Sequence, residues 1–295
     1  MRETAVVESI RVLAQAGAPN RSIVKSIGDD CAILRPRANE DLVFTSDFVL
    51  EDRHFTLNTH TASEIGRVAL ARSLSDLAAM GSEPVFCLVS LAIPARLGAS
   101  WVRSFYKGLL KLAVKYKITL AGGDLANFNR IVADVICCGR VPQGQAILRS
   151  GAKAGDGIYV TGTLGAAGRA LRLDGRAVIS EPRIAAGIAL RKAGVSAGMD
   201  LSDGLSLDLC RLCLESRVSA DLDSDLPIAP GASLEDELHG GEDYELLITA
   251  SPEKKLPAKV AGAPITRIGT ITRGRIGQIY FKGRPLKTKG FDHFR

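Results

Sequence analysis

The chain has 295 residues, 46% of them hydrophobic and 24% charged. That length allows one large domain or two of ordinary size with a real core, and the composition excludes a disordered chain or a coiled coil. The formal charge of +6 is unevenly spread. Residues 251–295 hold eleven Lys and Arg against Glu253 and Asp292, a net +9, which leaves residues 1–250 at −3. The longest uncharged apolar run, residues 84–95, is too short to cross a bilayer. Glu3 and Glu8 interrupt what would be the apolar region of a signal peptide, so no export signal and a cytoplasmic location are expected.

Residues 3–16 have helical periodicity, with Val6, Ile10 and Leu13 on one face. DCAIL and DLVFTSDFVL are short β-rich runs separated by the turn segment RPRANE. Residues 63–80 read as a helix, 82–94 as a strand entered through Pro84, and 99–116 as an amphipathic helix leading to the strand ITLAGGD. IVADVICCGRV (131–141) is another strand. This order describes one α/β domain over residues 1–145. RSGAKAGD (149–156) reads as a linker. The strand GIYVTGT (157–163) opens a second domain, residues 146–295, which continues with a helix at 181–193 and the segments AGMDLSDGLSLDLCRLCLES and HGGEDYELLITA. The expected fold class is α/β (α+β), with a mixed sheet in each domain.

Two features resemble sites without the spacing of one. Gly162, Gly165 and Gly168 follow a strand and precede a helix, but GxxGxxG is not the GxGxxG of dinucleotide binding, and no acid stands about 20 residues on. No GxxxxGK[ST] is present either. Cys210-x-x-Cys213 lacks the second pair a structural zinc site needs, so the six cysteines read as reduced, mostly core thiols. The basic C-terminal segment shows little aromatic interleaving and no recognisable nucleic-acid-binding module, so no nucleic acid or membrane partner is expected.

The chemistry lies in the aspartates. Asp30 enters a strand, Thr45-Ser46-Asp47 ends one, Gly122-Gly123-Asp124 follows one, and Asp200 and Asp203 open a helix. A carboxylate beside glycine is often only a turn or cap residue. Asp76 is different. It lies opposite the Leu70, Leu74, Leu77 face of its helix, among small residues, where it either meets another surface or pairs with Arg72 at i, i+4. Carboxylates with Ser/Thr hydroxyls and no His cluster are hard oxygen donors suited to Mg²⁺. Held together they repel unless a cation sits among them. Several Mg²⁺ ions beside glycine-rich backbone are what a polyphosphate needs, so the residues point to Mg-dependent nucleotide chemistry without a P-loop.

The blocks IGDDCAIL, TSDFVLEDRHF, LARSLSDLAAMGSEP, AGGD, RSGAKAGD, YVTGTLG, MDLSDGLSLDL, HGGEDYELLIT and KGFDHF, in this order, resemble the thiamine-monophosphate kinases of the aminoimidazole ribonucleotide synthetase-like superfamily. The resemblance implies transfer of the γ-phosphoryl group of ATP to thiamine monophosphate, giving thiamine diphosphate. It implies a homodimer whose N-terminal sheets pair into a barrel, with active sites in clefts between N- and C-terminal domains. Asp30, Thr45, Ser46, Asp47, Asp76, Asp124, Asp200 and Asp203 match the family's magnesium positions, with Asp47, Asp76 and Asp124 at the catalytic centre. Tyr106, Gly123, Asp124, Arg149 and Ser202 match nucleotide contacts. His54, Glu242 and Phe291 match positions that hold the thiamine substrate. The chain departs from the family in having Thr-Ser-Asp for the more frequent Ser-Thr-Asp, in being short between Gly168 and Pro182, and in Leu-Ala-Asn after GGD. HGGEDYEL and the terminal GFDHF argue against the alternative, a synthase of the same superfamily acting on a ribonucleotide amide.

Overall fold

The computed structural model describes residues 3–15, 22–27, 31–176, 180–223 and 225–291. The chain divides into two compact units. One takes residues 1–77 and 83–144, the other 78–82 and 145–295.

The first unit runs α1 (Glu3–Gln15), β1 (Ile23–Lys25), β2 (Ile33–Leu34), β3 (Glu40–Leu50), α2 (Ala62–Ala79), β4 (Glu83–Ile93), α3 (Gly98–Tyr116), β5 (Thr119–Asn127) and β6 (Val132–Pro142). Its sheet has the order β3-β6-β4-β5. β6 is antiparallel to both neighbours, and β4 and β5 are parallel, as a crossover through α3 requires. Alternation along the strands makes two unlike faces. Cys87, Val89, Leu91, Val135 and Cys137 are fully or almost fully buried, whereas Phe44 and Phe48 are 59% and 55% exposed. The two helices meet closely. A Cβ on Gly66 would overlap the Phe105 carbonyl oxygen, and one on Gly108 the Ser63 carbonyl oxygen, so glycine is needed on both sides of this contact.

Two sequence expectations are corrected here. Thr45-Ser46-Asp47 lies inside β3 rather than at its end, because pairing with β6 continues to Leu50↔Val132. Gly122-Gly123-Asp124 lies inside β5 rather than after it. An irregularity beside Cys87 resets the register, and pairing with β4 then runs on to Asn127.

The second unit contains β7 (Gly157–Thr161), α4 (Ala166–Asp174), α5 (Ile184–Ala193), β8 (Ala197–Asp200), α6 (Leu205–Ser216), β9 (Ser219–Leu222), α7 (Leu234–His239), β10 (Leu246–Ala250), β11 (Lys259–Val260), β12 (Ala263–Thr272), β13 (Ile279–Phe281) and β14 (Arg284–Pro285). Its sheet runs β14-β13-β9-β12-β7-β10-β8, with β11 paired to β12. Among the described strands of this sheet, only the β13/β9 pairing is parallel. Leu205, Leu209 and Leu212 recur at helical spacing on α6 and join Ile158, Val160, Leu247 and Ile268 in one core. Helix α7 begins with a capping box, in which Ser233 and Asp236 satisfy each other's backbone N–H groups. Cys87, Cys137, Cys138 and Cys213 are buried free thiols, while Cys31 is exposed and Cys210 half-buried.

Candidate active site

In the first unit, strand alternation separates neighbours in sequence. Thr45 and Asp47 share the helix-covered side of β3, and the Thr45 hydroxyl donates to Asp76 on α2. Burial and the nearby Asp76 carboxylate push Asp47 up to about 7, against the pull of Arg72. Asp76 and Arg72, one helical turn apart, both act on this strand, so Asp76 meets another surface, one of the two alternatives its sequence position left open, and does so through Thr45. Ser46 points to the other side, where its hydroxyl donates to Asp134 at 2.6 Å. Asp134 was missed by sequence reasoning, since only the β3/β6 register reveals it.

Gly123 and Asp124 stand at the same level of the sheet as Asp47 but on the far edge strand. The rows Asp47–Val135–Val89–Gly123 and Phe48–Asp134–Ser90–Asp124 cross all four strands. Three inter-strand spacings, about 14 Å, therefore separate Asp124 from β3. Gly123 has φ +148°, and a Cβ there would overlap the Val89 carbonyl oxygen, so this close approach requires glycine. Tyr106 is buried on α3, and burial, Cys87 and the Asp124 charge all raise its phenol. His54 sits in the turn after β3, where its Nδ1 accepts from the Leu50 N–H at 2.9 Å and so leaves the neutral ring's proton on Nε2. Asp30 lies outside the described residues.

In the second unit, one loop gathers several predicted residues. Asp200 ends β8 with only 4% exposure. The N–H groups of Ser202, Asp203 and Gly204 all donate to the Asp208 carboxylate, at 3.1, 2.9 and 3.2 Å. Asp208 is fully buried, and burial lifts it to about 6 while the backbone donors and Arg211 oppose the rise. Arg211 bridges Asp208, at 2.8 Å, and Asp203. The Glu242 N–H donates to the Ser202 carbonyl at 2.8 Å, and the Phe291 N–H to the Asp203 carbonyl at 3.2 Å. Ser202, Asp203, Glu242 and Phe291 are thus neighbours. Asp208 was missed, although an acid four residues after Gly204 at a helix start is a legible capping signal. Arg149 is not joined to this group by any hydrogen bond or ion pair among the described residues. Its carbonyl accepts from Ser216, at the opposite end of α6 from Ser202, about 18 Å along a 12-residue helix.

The glycine-rich turn after β7 is filled from within. The Asp243 carboxylate accepts from the N–H groups of Gly165 and Ala167 at 2.6 and 3.1 Å, and burial raises it to about 6. Beside it, Glu237 is 3% exposed and pushed up to about 7 by burial and by Asp243.

The donor chemistry suits Mg²⁺. Thr45, Asp47 and Asp76 offer hydroxyl and carboxylate oxygens, and the raised Asp47 carboxyl is the condition a bound cation would reverse. Among the described residues no larger group of His, Cys, Asp and Glu gathers into a metal cluster. Magnesium often takes one or two carboxylates and completes its shell with water and phosphate.

Two α/β units of this kind define an AIR synthase related protein. The family's N-terminal domain matches residues 28–142 and its C-terminal domain residues 153–282. More narrowly, the chain belongs to the thiamine-monophosphate kinase family. It is 34% identical to the thiamine-monophosphate kinase of Bacillus subtilis (strain 168), covering 93% of this chain and 94% of that protein. The crystal structure of thiamine-monophosphate kinase from Stenotrophomonas maltophilia K279a superposes with TM-score 0.85 at 35% identity, over 97% of this chain and 98% of that one. AaThiL complexed with AMPPCP and TMP superposes with TM-score 0.78 at 29% identity, over 100% and 99% of the two chains.

Proposed function

We propose that this chain transfers the γ-phosphoryl group of ATP to the phosphate of thiamine monophosphate, releasing ADP and thiamine diphosphate. The observation that carries the reading is likeness over the whole chain to AaThiL complexed with AMPPCP and TMP. The acceptor is a phosphate oxygen, anionic at neutral pH, so no strong general base is needed, and catalysis is positioning plus charge neutralisation. Thr45, Asp47 and Asp76 would hold magnesium, with Asp30, Asp124, Asp200 and Asp203 as further ligands. When bound, that metal supplies the positive charge that lets two phosphate groups approach. Ser46 joins the set as the family position implies, and its hydroxyl is oriented by Asp134. Gly123 offers close backbone approach to the nucleotide, and Tyr106, Arg149 and Ser202 complete that set. Glu242 offers a carboxylate to the cationic thiamine and Phe291 an aromatic face, and His54 completes the set as the family position implies.

We also propose a homodimer through the side of the β3-β6-β4-β5 sheet away from α2, which Ile23 and Leu34 of β1 and β2 cover only in part. What supports it is the exposure of Phe44 and Phe48 there, beside the T-shaped contact of Phe44 with Phe86. No helix among the described residues is long and apolar enough to cross a membrane. The direct test incubates the purified protein with ATP, Mg²⁺ and thiamine monophosphate and separates the products by chromatography. Thiamine diphosphate is expected, and its absence with folded protein refutes the activity. Removing Mg²⁺ with EDTA is expected to stop turnover, and restoring it to recover the rate.

A further inference from the structure

Two non-glycine residues in the left-handed region stand within three positions of each other, Glu242 at φ +68° and Tyr244 at φ +52°. Such backbone is disfavoured for residues with a Cβ and persists only where the surroundings hold it. The Glu242 N–H bonds the Ser202 carbonyl and the Tyr244 N–H bonds the Leu201 carbonyl, each at 2.8 Å. Those two bonds fix one side of the segment. The residue between them fixes the other. Asp243 is 9% exposed, and its two carboxylate oxygens take the N–H groups of Gly165 and Ala167 at the start of α4. Glu245 repeats the pattern two residues on, accepting from Thr161 at 2.6 Å and from Arg183. The glycine-rich turn is therefore a seat for the chain's own carboxylate.

We infer that Asp243 is a positioning residue for the substrate. By seating on the Gly165–Ala167 turn, it holds Glu242 in the left-handed conformation that presents its carboxylate to the cationic thiamine moiety of thiamine monophosphate. This rests on the proposed role of Glu242. Asp243 does not touch substrate itself, and acts only through its neighbour's backbone.

A double-mutant cycle tests it. Affinities for thiamine monophosphate and for AMPPCP are measured by calorimetry on the wild-type chain, Glu242→Ala, Asp243→Asn and the double variant, with circular dichroism to confirm folding. Asp243→Asn keeps the shape and one acceptor oxygen but turns an amide N–H₂ against a backbone N–H. Each single variant is expected to weaken thiamine monophosphate by about tenfold, and the double variant by no more than either, because both act through one carboxylate. AMPPCP affinity is expected to stay within about twofold. Multiplying losses in the double variant, or an equal loss of AMPPCP affinity, overturns the inference while leaving the role of Glu242 standing. Wild-type affinity in Glu242→Ala overturns the role of Glu242 and the inference with it, whereas the product assay alone judges the activity. Should Asp243→Asn fail to fold, amide hydrogen exchange on the wild-type chain decides. Thiamine monophosphate is expected to slow exchange at Gly165 and Ala167 together with Glu242, and slowing at Glu242 alone overturns the inference.

Discussion

Asp47 carries a conflict that a cation resolves. Its carboxyl is buried against Asp76, which raises it to about 7 from 3.8 despite Arg72. The folded chain therefore holds a proton there that the unfolded chain releases. The stability contributed by this proton is fully present below about pH 3.8 and is lost as pH rises through about 7. A divalent cation favours the ionised form, so Mg²⁺ should raise the melting temperature more at pH 8 than at pH 6. Asp47→Asn should abolish that difference, and differential scanning fluorimetry at the two pH values reads both. An equal Mg²⁺ shift at both pH values would remove Asp47 from the metal site. The same variant is expected to lose about 10²–10³-fold or more in turnover, because charge stabilisation at the transferring phosphoryl group disappears. Its fold should survive, since an amide replaces a carboxyl of the same shape. Asp208 is the structural counterpart. Three backbone N–H groups of the loop 202–204 converge on its Oδ2. Asp208→Ala should orphan them and destabilise the second unit by about 1–3 kcal/mol, seen as a lower urea midpoint.

At the level of elements, α2 and α3 are held together by what they lack. Gly66 faces the Phe105 backbone and Gly108 the Ser63 backbone, with no room for a methyl group at either. Helix propensity alone would make Gly→Ala stabilising by about 1 kcal/mol. Overlap with a backbone carbonyl cannot be relieved by a rotamer change and should win, so Gly66→Ala and Gly108→Ala should each destabilise by about 1–3 kcal/mol in urea unfolding. Neither contact could be read from the sequence, because periodicity tells which face of a helix is apolar and not what it approaches. The long helices and strands were legible for the complementary reason, since their apolar periods are continuous. Strand limits around Asp47 and Asp124 were not, because glycine and polar residues read locally as strand ends, while cross-strand pairing carries both segments through. The site shows the same division. Aspartates beside glycine were visible as a pattern, and so was the oxygen-donor chemistry. Asp134 behind Ser46 and Asp243 beneath the glycine-rich turn became visible only through register and the path of the chain.

Across the whole molecule, the charge and the apolar surface point in different directions. The charges of the +9 segment at residues 251–295 are spread over solvated positions such as Lys255, Arg273, Arg275, Lys282 and Lys287, all exposed. Their contribution is a general field favouring anionic ligands, which weakens over a Debye length of about 8 Å at physiological salt. The sheet face away from α2, only partly covered by β1 and β2, is the more specific feature. Phe44 and Phe48 stand two positions apart along the strand axis counted in side-chain pairs, on the side of β3 away from α2, and each keeps more than half of its surface in water. Two exposed phenylalanines on a paired sheet are costly in a monomer and favourable in a self-complementary interface, where twofold symmetry buries the same patch twice. The wild-type chain should therefore elute with about twice its 31.3 kDa mass in size exclusion with light scattering. Phe48→Asp places a carboxylate in each copy of that face and should shift the mass to that of a single chain. Phe48 adjoins Asp47 and Phe44 adjoins Thr45, but both rings lie on the opposite side of β3 from those two residues, so Phe44→Asp serves as an independent second variant. A wild-type chain of single mass, or a dimer unmoved by both substitutions, would assign the exposed face to something other than self-association.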